Sequence, residues 1–213
     1  MAFCIARYTK LNPKEMMMNR LFVVALLGSW LATPAAAQQA PQAPPTVAGY
    51  VRNAYTGNKN NILRSGEKMP EENYGLRPGP QQEVRSFGQH LAHVATYNFL
   101  WCSQAKGEKN PNAGNSLEKT LTAKADIMKA LADSFAYCDP VYAAVTDASG
   151  AEVVDITQES GRQVRQARLA LLMMNLAHNN ELYGNLVTTM RMKSIVPPSS
   201  EPRPQPAQPQ RPQ

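Results

Sequence analysis

Three histidines, His90, His93 and His178, are the residues whose type and spacing offer chemistry. Imidazole is the commonest protein ligand for borderline metals, and three rings converging in a helical bundle could hold one ion with a coordination position open. His90 and His93 stand about one helical turn apart and can share a face. Where a helix would place a partner ligand four residues after His178, however, the sequence has Leu182. Glu181, one turn after His178, could add an oxygen, so His90, His93, His178 and Glu181 form an admissible donor set. There is no Gly-x-Ser-x-Gly, no phosphate-loop or dinucleotide glycine pattern and no Cys-x-x-Cys, which leaves serine-nucleophile and nucleotide chemistry without local support.

The elements that must position these side chains read as helices. Four segments carry apolar residues at three- and four-residue intervals: Thr46 to Lys68, Glu83 to Lys106, a third starting after Ser116 and passing through Leu121, Leu131 and Tyr142, and Ser160 to Lys193. Gly57 and a run of Asn weaken the first, Gly107 ends the second, and Pro140 should bend the third. No strand-like alternation of useful length occurs, so an all-α four-helix bundle is expected. Arg162, Arg165 and Arg168 would line one side of the fourth segment, as a solvated face more readily than as a phosphate site. Tyr97 and Trp101 are expected in the core, and an aromatic beside a cavity at the bundle centre could hold an apolar ligand.

Composition and flanks narrow the function classes. The chain has 213 residues, 43% hydrophobic and 18% charged, with a formal charge of +6. Leu21 to Leu31 is an apolar run after Arg20 that leads into Ala35-Ala36-Ala37, the pattern of a secretory signal peptide over residues 1–37. Residues 1–15 read either as an unusually long n-region or, more readily, as an artefact of start-codon choice, since Met16, Met17 and Met18 can each initiate. The apolar run is too short to span a bilayer, so a periplasmic or secreted protein without a stable membrane anchor is expected. Removing residues 1–37 takes away four cations and one anion and leaves a net +3, which together with export disfavours nucleic acid as a partner. Residues 38–45 read as a flexible linker, 46–196 as the bundle and 197–213 as a disordered Pro/Gln-rich tail.

Export also bears on topology. Cys102 and Cys138 would meet an oxidising compartment, where two cysteines usually pair. In an antiparallel hairpin of the second and third segments their sulfurs would lie about 25–30 Å apart along the axis, beyond disulfide reach. If those segments run parallel, joined by a long crossover from Gly107 to Ser116 that can extend about 33 Å, the cysteines come level. An up-down-down-up bundle follows.

The stretches MPEENYGLRPGPQQEVRSFGQHLAHV (69–94) and LAHNNELYGNLVTTMRMKSIVPPSS (176–200) resemble exported members of the DinB-like four-helix-bundle superfamily. The resemblance implies the same up-down-down-up fold. It also implies a metal site built from one histidine of the second helix and a His-x-x-x-His pair of the fourth, which places His93 and His178 as ligands and Leu182 where the third would stand. Two functions compete. One is a metal-dependent transferase or hydrolase acting on a small molecule through nickel, zinc or manganese. The other is a noncatalytic binding or structural bundle that lost the ion along with the third ligand. Bundles of this kind often pair, so a homodimer is an expected assembly.

Overall fold

The computed structural model describes residues 45–158 and 160–202; the expected signal peptide over residues 1–37, the expected linker up to residue 44 and the expected tail beyond residue 202 lie outside these residues. Helix α1, Val47–Lys68, starts where the Thr46 hydroxyl accepts from the Gly49 N–H at 3.0 Å. Its buried positions Ala48, Val51, Tyr55, Asn58 and Ile62 recur at helical spacing, and it runs unbroken through Gly57. A 3-10 turn, Glu71–Asn73, leads to helix α2, Phe87–Lys106. This helix begins four residues later than the apolar period suggests, because Ser86 and Gln89 form a reciprocal capping box that fixes the start. Gly107 closes it at φ 71°.

The third expected helix is interrupted. A single turn, α3 (Leu117–Thr120), is followed by three residues before α4 (Lys124–Ala144), and Ser116 makes no side-chain cap. The β-branched Thr120 and Thr122 weaken the helix at this break. Pro140 is accommodated inside α4.

The fourth expected helix is shorter than its pattern. After the turn α5 (Asp147–Gly150), residues read as loop or as helical first turns pair as antiparallel strands β1 (Val153–Thr157) and β2 (Gln163–Ala167), with Val153 opposite Ala167 and Thr157 opposite Gln163. Val154, Ile156 and Val164 favour extended backbone, and Gly161 takes φ 79° at the turn. Only Ile156 of the hairpin is buried, and the other apolar positions are half-buried or exposed, so the strands carry little alternation. Helix α6, Arg168–Met192, then completes a mostly helical domain. The expected arginine stripe on one helix face does not exist. Arg162 bonds Gln158, Arg165 sits 3.4 Å from Asp155, and Arg168 donates to the Ala105 carbonyl and to Glu152.

Residue pairings give the helix directions. Gly88 lies against Ile127, Asn98 donates to Ser134 and Cys102 is bonded to Cys138, so α2 and α4 advance together. Tyr55 stacks on Tyr142 while Gly66 lies against Met128, so α1 and α4 run oppositely. Asn98 meets Asn179 and Cys102 meets Asn175, so α2 and α6 also run oppositely. The core between these helices is not purely apolar. Asn179 donates to Asn98, Asn98 to Ser134 and Ser134 to the Leu131 carbonyl, while Asn175 donates to the Tyr142 hydroxyl, all buried. These bonds satisfy most of the amide atoms the helices bury. Pro198–Ser200, at the start of the segment expected as a tail, form a 3-10 turn in which Pro198 is buried and Ser199 bonds Tyr183. Among the described residues no helix is long and apolar enough to cross a membrane.

Candidate functional site

Helices α2 and α6 bring His93 and His178 together. Their ring centroids lie 5.1 Å apart. Tyr97, one turn after His93, packs at 4.6 Å from His93 and 4.9 Å from His178. Trp101, one turn further, meets His178 edge-on at 4.9 Å. Both aromatic rings are half-buried and wall the imidazole pair rather than filling the centre of the core. Burial, together with the neighbouring His93, lowers the pKa of His178 to about 4. His178 is therefore neutral near pH 7. Its Nδ1 lies 3.5 Å from the Asn179 side-chain oxygen, at the limit of a hydrogen bond.

The residue that sequence reasoning missed is Glu118, on the short helix α3. Its Oε2 is 3.0 Å from His93 Nδ1, and Arg85 bonds the same carboxylate. Burial works to raise the Glu118 pKa, but the Arg85 hydrogen bond and the His93 ring outweigh it and hold the carboxyl below its ordinary value. No periodicity points to Glu118, because the crossover loop delivers it across the bundle. The one available signal was its place directly after a long polar loop.

The remaining candidates stay apart. His90 is buried, and its Nδ1–H donates to the Ser86 carbonyl at 3.0 Å, a helix-internal bond. Burial lowers its pKa as well. Glu181 is exposed on the outer side of α6. Leu182 is buried, 5% exposed, and contributes hydrocarbon to the core. Among the described residues no group of three or more His, Cys, Asp or Glu is arranged to hold a metal ion. The donors in place are the two imidazoles, and these do not make a full ligand set for resident nickel, zinc or manganese. The disulfide Cys102–Cys138 is formed, with Cα atoms 5.4 Å apart, one residue beyond Trp101.

Beyond Tyr97 the crossover borders a cavity of about 350 Å³, open to solvent on one side and lined by Thr96, Tyr97, Asn110, Asn112, Asn115, Ser116, Glu118 and Lys119 among others. Tyr97 and Glu118 are therefore shared between this cavity and the imidazole pair.

A helical bundle that brings side chains of facing helices together is the class this arrangement defines. Residues 54–181 match the DinB superfamily, and the chain belongs to it. Solved structures agree on the fold. A DinB-like protein from Bacillus cereus superposes with a TM-score of 0.57 at 17% identity, over 72% of this chain and 96% of that one. A conserved protein from Enterococcus faecalis gives 0.54 at 14% identity, over 70% and 97%. A variant of the mycothiol-dependent maleylpyruvate isomerase gives 0.52 at 13% identity, over 65% of this chain and 60% of that enzyme. No curated protein matches the chain in sequence.

Proposed function

We propose that the protein is an exported DinB-superfamily bundle, arranged up-down-down-up, in which the family's metal centre has become an ion-free pocket that recognises a small molecule. The observation that carries this reading is Leu182. Its buried side chain stands at the third-ligand position and leaves His93 and His178 packed among Tyr97 and Trp101. A neutral His178 and an aromatic wall suit hydrogen bonding and stacking to a small ligand. Export rests on the Leu21–Ala37 pattern, and the Cys102–Cys138 bond supports an oxidising compartment. The pairwise helix directions support the topology.

A second reading keeps a divalent ion and makes the protein a metal-dependent transferase or hydrolase on a small substrate. The position of Glu118 favours it. A carboxylate at one ring nitrogen of a histidine fixes the tautomer and turns the other lone pair outward, as behind ligating histidines.

Metal content of untagged protein, followed by titration of the chelator-stripped form with nickel, zinc and manganese, separates the two readings. Wild type and His178→Ala are expected to show the same weak uptake. Leu182→His is expected to gain uptake that a further His178→Ala removes. One ion per wild-type chain, lost on His178→Ala, refutes the ion-free reading. Failure of Leu182→His to gain any uptake refutes the assignment of Leu182 to the third position.

A further inference from the structure

We propose that the cavity between Tyr97 and the crossover loop is a subsite for a small polyhydroxylated carboxylate, the chemistry of a uronic or aldonic acid; this deepens, and rests on, the ion-free reading above. Size is the first argument. At about 350 Å³ the cavity lies at the low end of ligand pockets and suits one sugar-sized molecule.

The second argument is the supply of unspent polar groups. The loop fixes itself internally, with the Asn112 N–H donating to the Asn110 side-chain oxygen at 2.8 Å and the Asn112 Nδ2 donating to the Asn115 carbonyl at 3.0 Å. Those bonds leave the Asn110 Nδ2, the Asn112 Oδ1, the Asn115 side-chain amide and the Ser116 hydroxyl without a partner among the described residues. An amide that offers donor and acceptor side by side matches a pair of adjacent hydroxyls, each of which can do both. Tyr97 lines the cavity beside these groups.

The third argument is charge. Glu118 is already engaged by Arg85 and His93, whereas Lys119 lines the same cavity with no acid partner among the described residues. The unspent charge is positive, so it calls for an anion. A cationic compound would meet Lys119 and a carboxylate already neutralised. An apolar compound would strip water from the amides and return no hydrogen bond.

Isothermal titration of the full, chelator-treated protein with D-glucuronate, D-glucose and acetate tests the proposal. Glucuronate should bind saturably, with glucose and acetate each weaker by about tenfold or more. Lys119→Met, at an exposed position that folding tolerates, should bring glucuronate to the level of glucose and leave glucose unchanged. Asn115→Ala should weaken both sugars. Acetate binding as tightly as glucuronate, or an unchanged Lys119→Met, overturns the subsite. Absence of saturable heat with and without added zinc overturns the subsite alone. Glucuronate binding that requires zinc and disappears in His178→Ala overturns the ion-free reading on which the subsite rests.

Discussion

Replacing both Cys102 and Cys138 by alanine cuts the covalent tie between α2 and α4 just beyond Trp101. The bond closes a loop with a sequence separation of 36. Chain-entropy arithmetic for that length gives about 13 cal/mol/K, or about 3.8 kcal/mol at 25 °C, of stability from restricting the unfolded chain. Both cysteines are fully buried, and the Asn175 amide, 3.8 and 4.0 Å from the two sulfurs, loses its neighbours, so a little more is lost from the folded side. For a domain of this size about 4 kcal/mol corresponds to a melting point lower by about 8–15 °C. Urea unfolding of oxidised wild type, reduced wild type and the double variant measures it, with the two cysteine-free or reduced forms expected to coincide within about 1 kcal/mol. A loss below about 1 kcal/mol for the double variant refutes the entropy argument. Two alkylatable thiols in the denatured, unreduced protein refute the bond itself.

Two further perturbations probe the site's surroundings. His178 has a folded pKa of about 4 against an ordinary 6.5, so as pH falls the unfolded chain takes the proton first. Its contribution is complete above about pH 6.5 and is lost progressively toward about pH 4. His90 acts with the same sign, so urea midpoints at about pH 7 and about pH 4.5 should show a slope that His178→Phe flattens in part, and an unchanged slope counts against the burial argument. A β-carbon on Gly88 would sit 3.0 Å from Ile127 Cδ1, 3.1 Å from Tyr74 Cδ1 and 3.3 Å from the Tyr74 carbonyl, whereas one on Gly57 meets nothing within 4 Å. Tyr74 is held by its hydroxyl bond to the Gly66 carbonyl, so Gly88→Ala should lose about 1–2 kcal/mol net and Gly57→Ala should gain about 0.5–1 kcal/mol. Thermal melts that rank the two variants the other way contradict the packing described.

Much of the scaffold could be read from residues alone, because helical period, Gly107 and the paired cysteines are local signals that tertiary structure obeyed, whereas the Ser86 cap that starts α2 was passed over. The paired cysteines also pointed to parallel second and third segments, the direction in which α2 and α4 run. The breaks at Leu121–Ala123 and at the hairpin were not legible. Leu121 and Ile156 are apolar at positions compatible with either state, and the decision came from threonine crowding in one case and a glycine turn in the other. At the site, His93 and His178 were placed on facing helices as their patterns implied. Glu118 and the buried Asn179–Asn98–Ser134 chain were missed for a common reason. Each depends on partners brought from distant segments, and a polar residue on an apolar stripe does not announce what it will bond.

The β1–β2 hairpin carries a consequence for how the molecule behaves at high concentration. A ribbon of two strands has an unpaired edge on each side, and each edge offers backbone groups to a neighbouring chain. Here those edges are short, five residues each, and are studded with exposed Asp155 and Arg165, while Val153 is the one large apolar side chain left in the open. The two charges act as guards against strand-to-strand stacking between molecules. Neutralising them together would turn a quiet surface ribbon into the place where association of this protein begins.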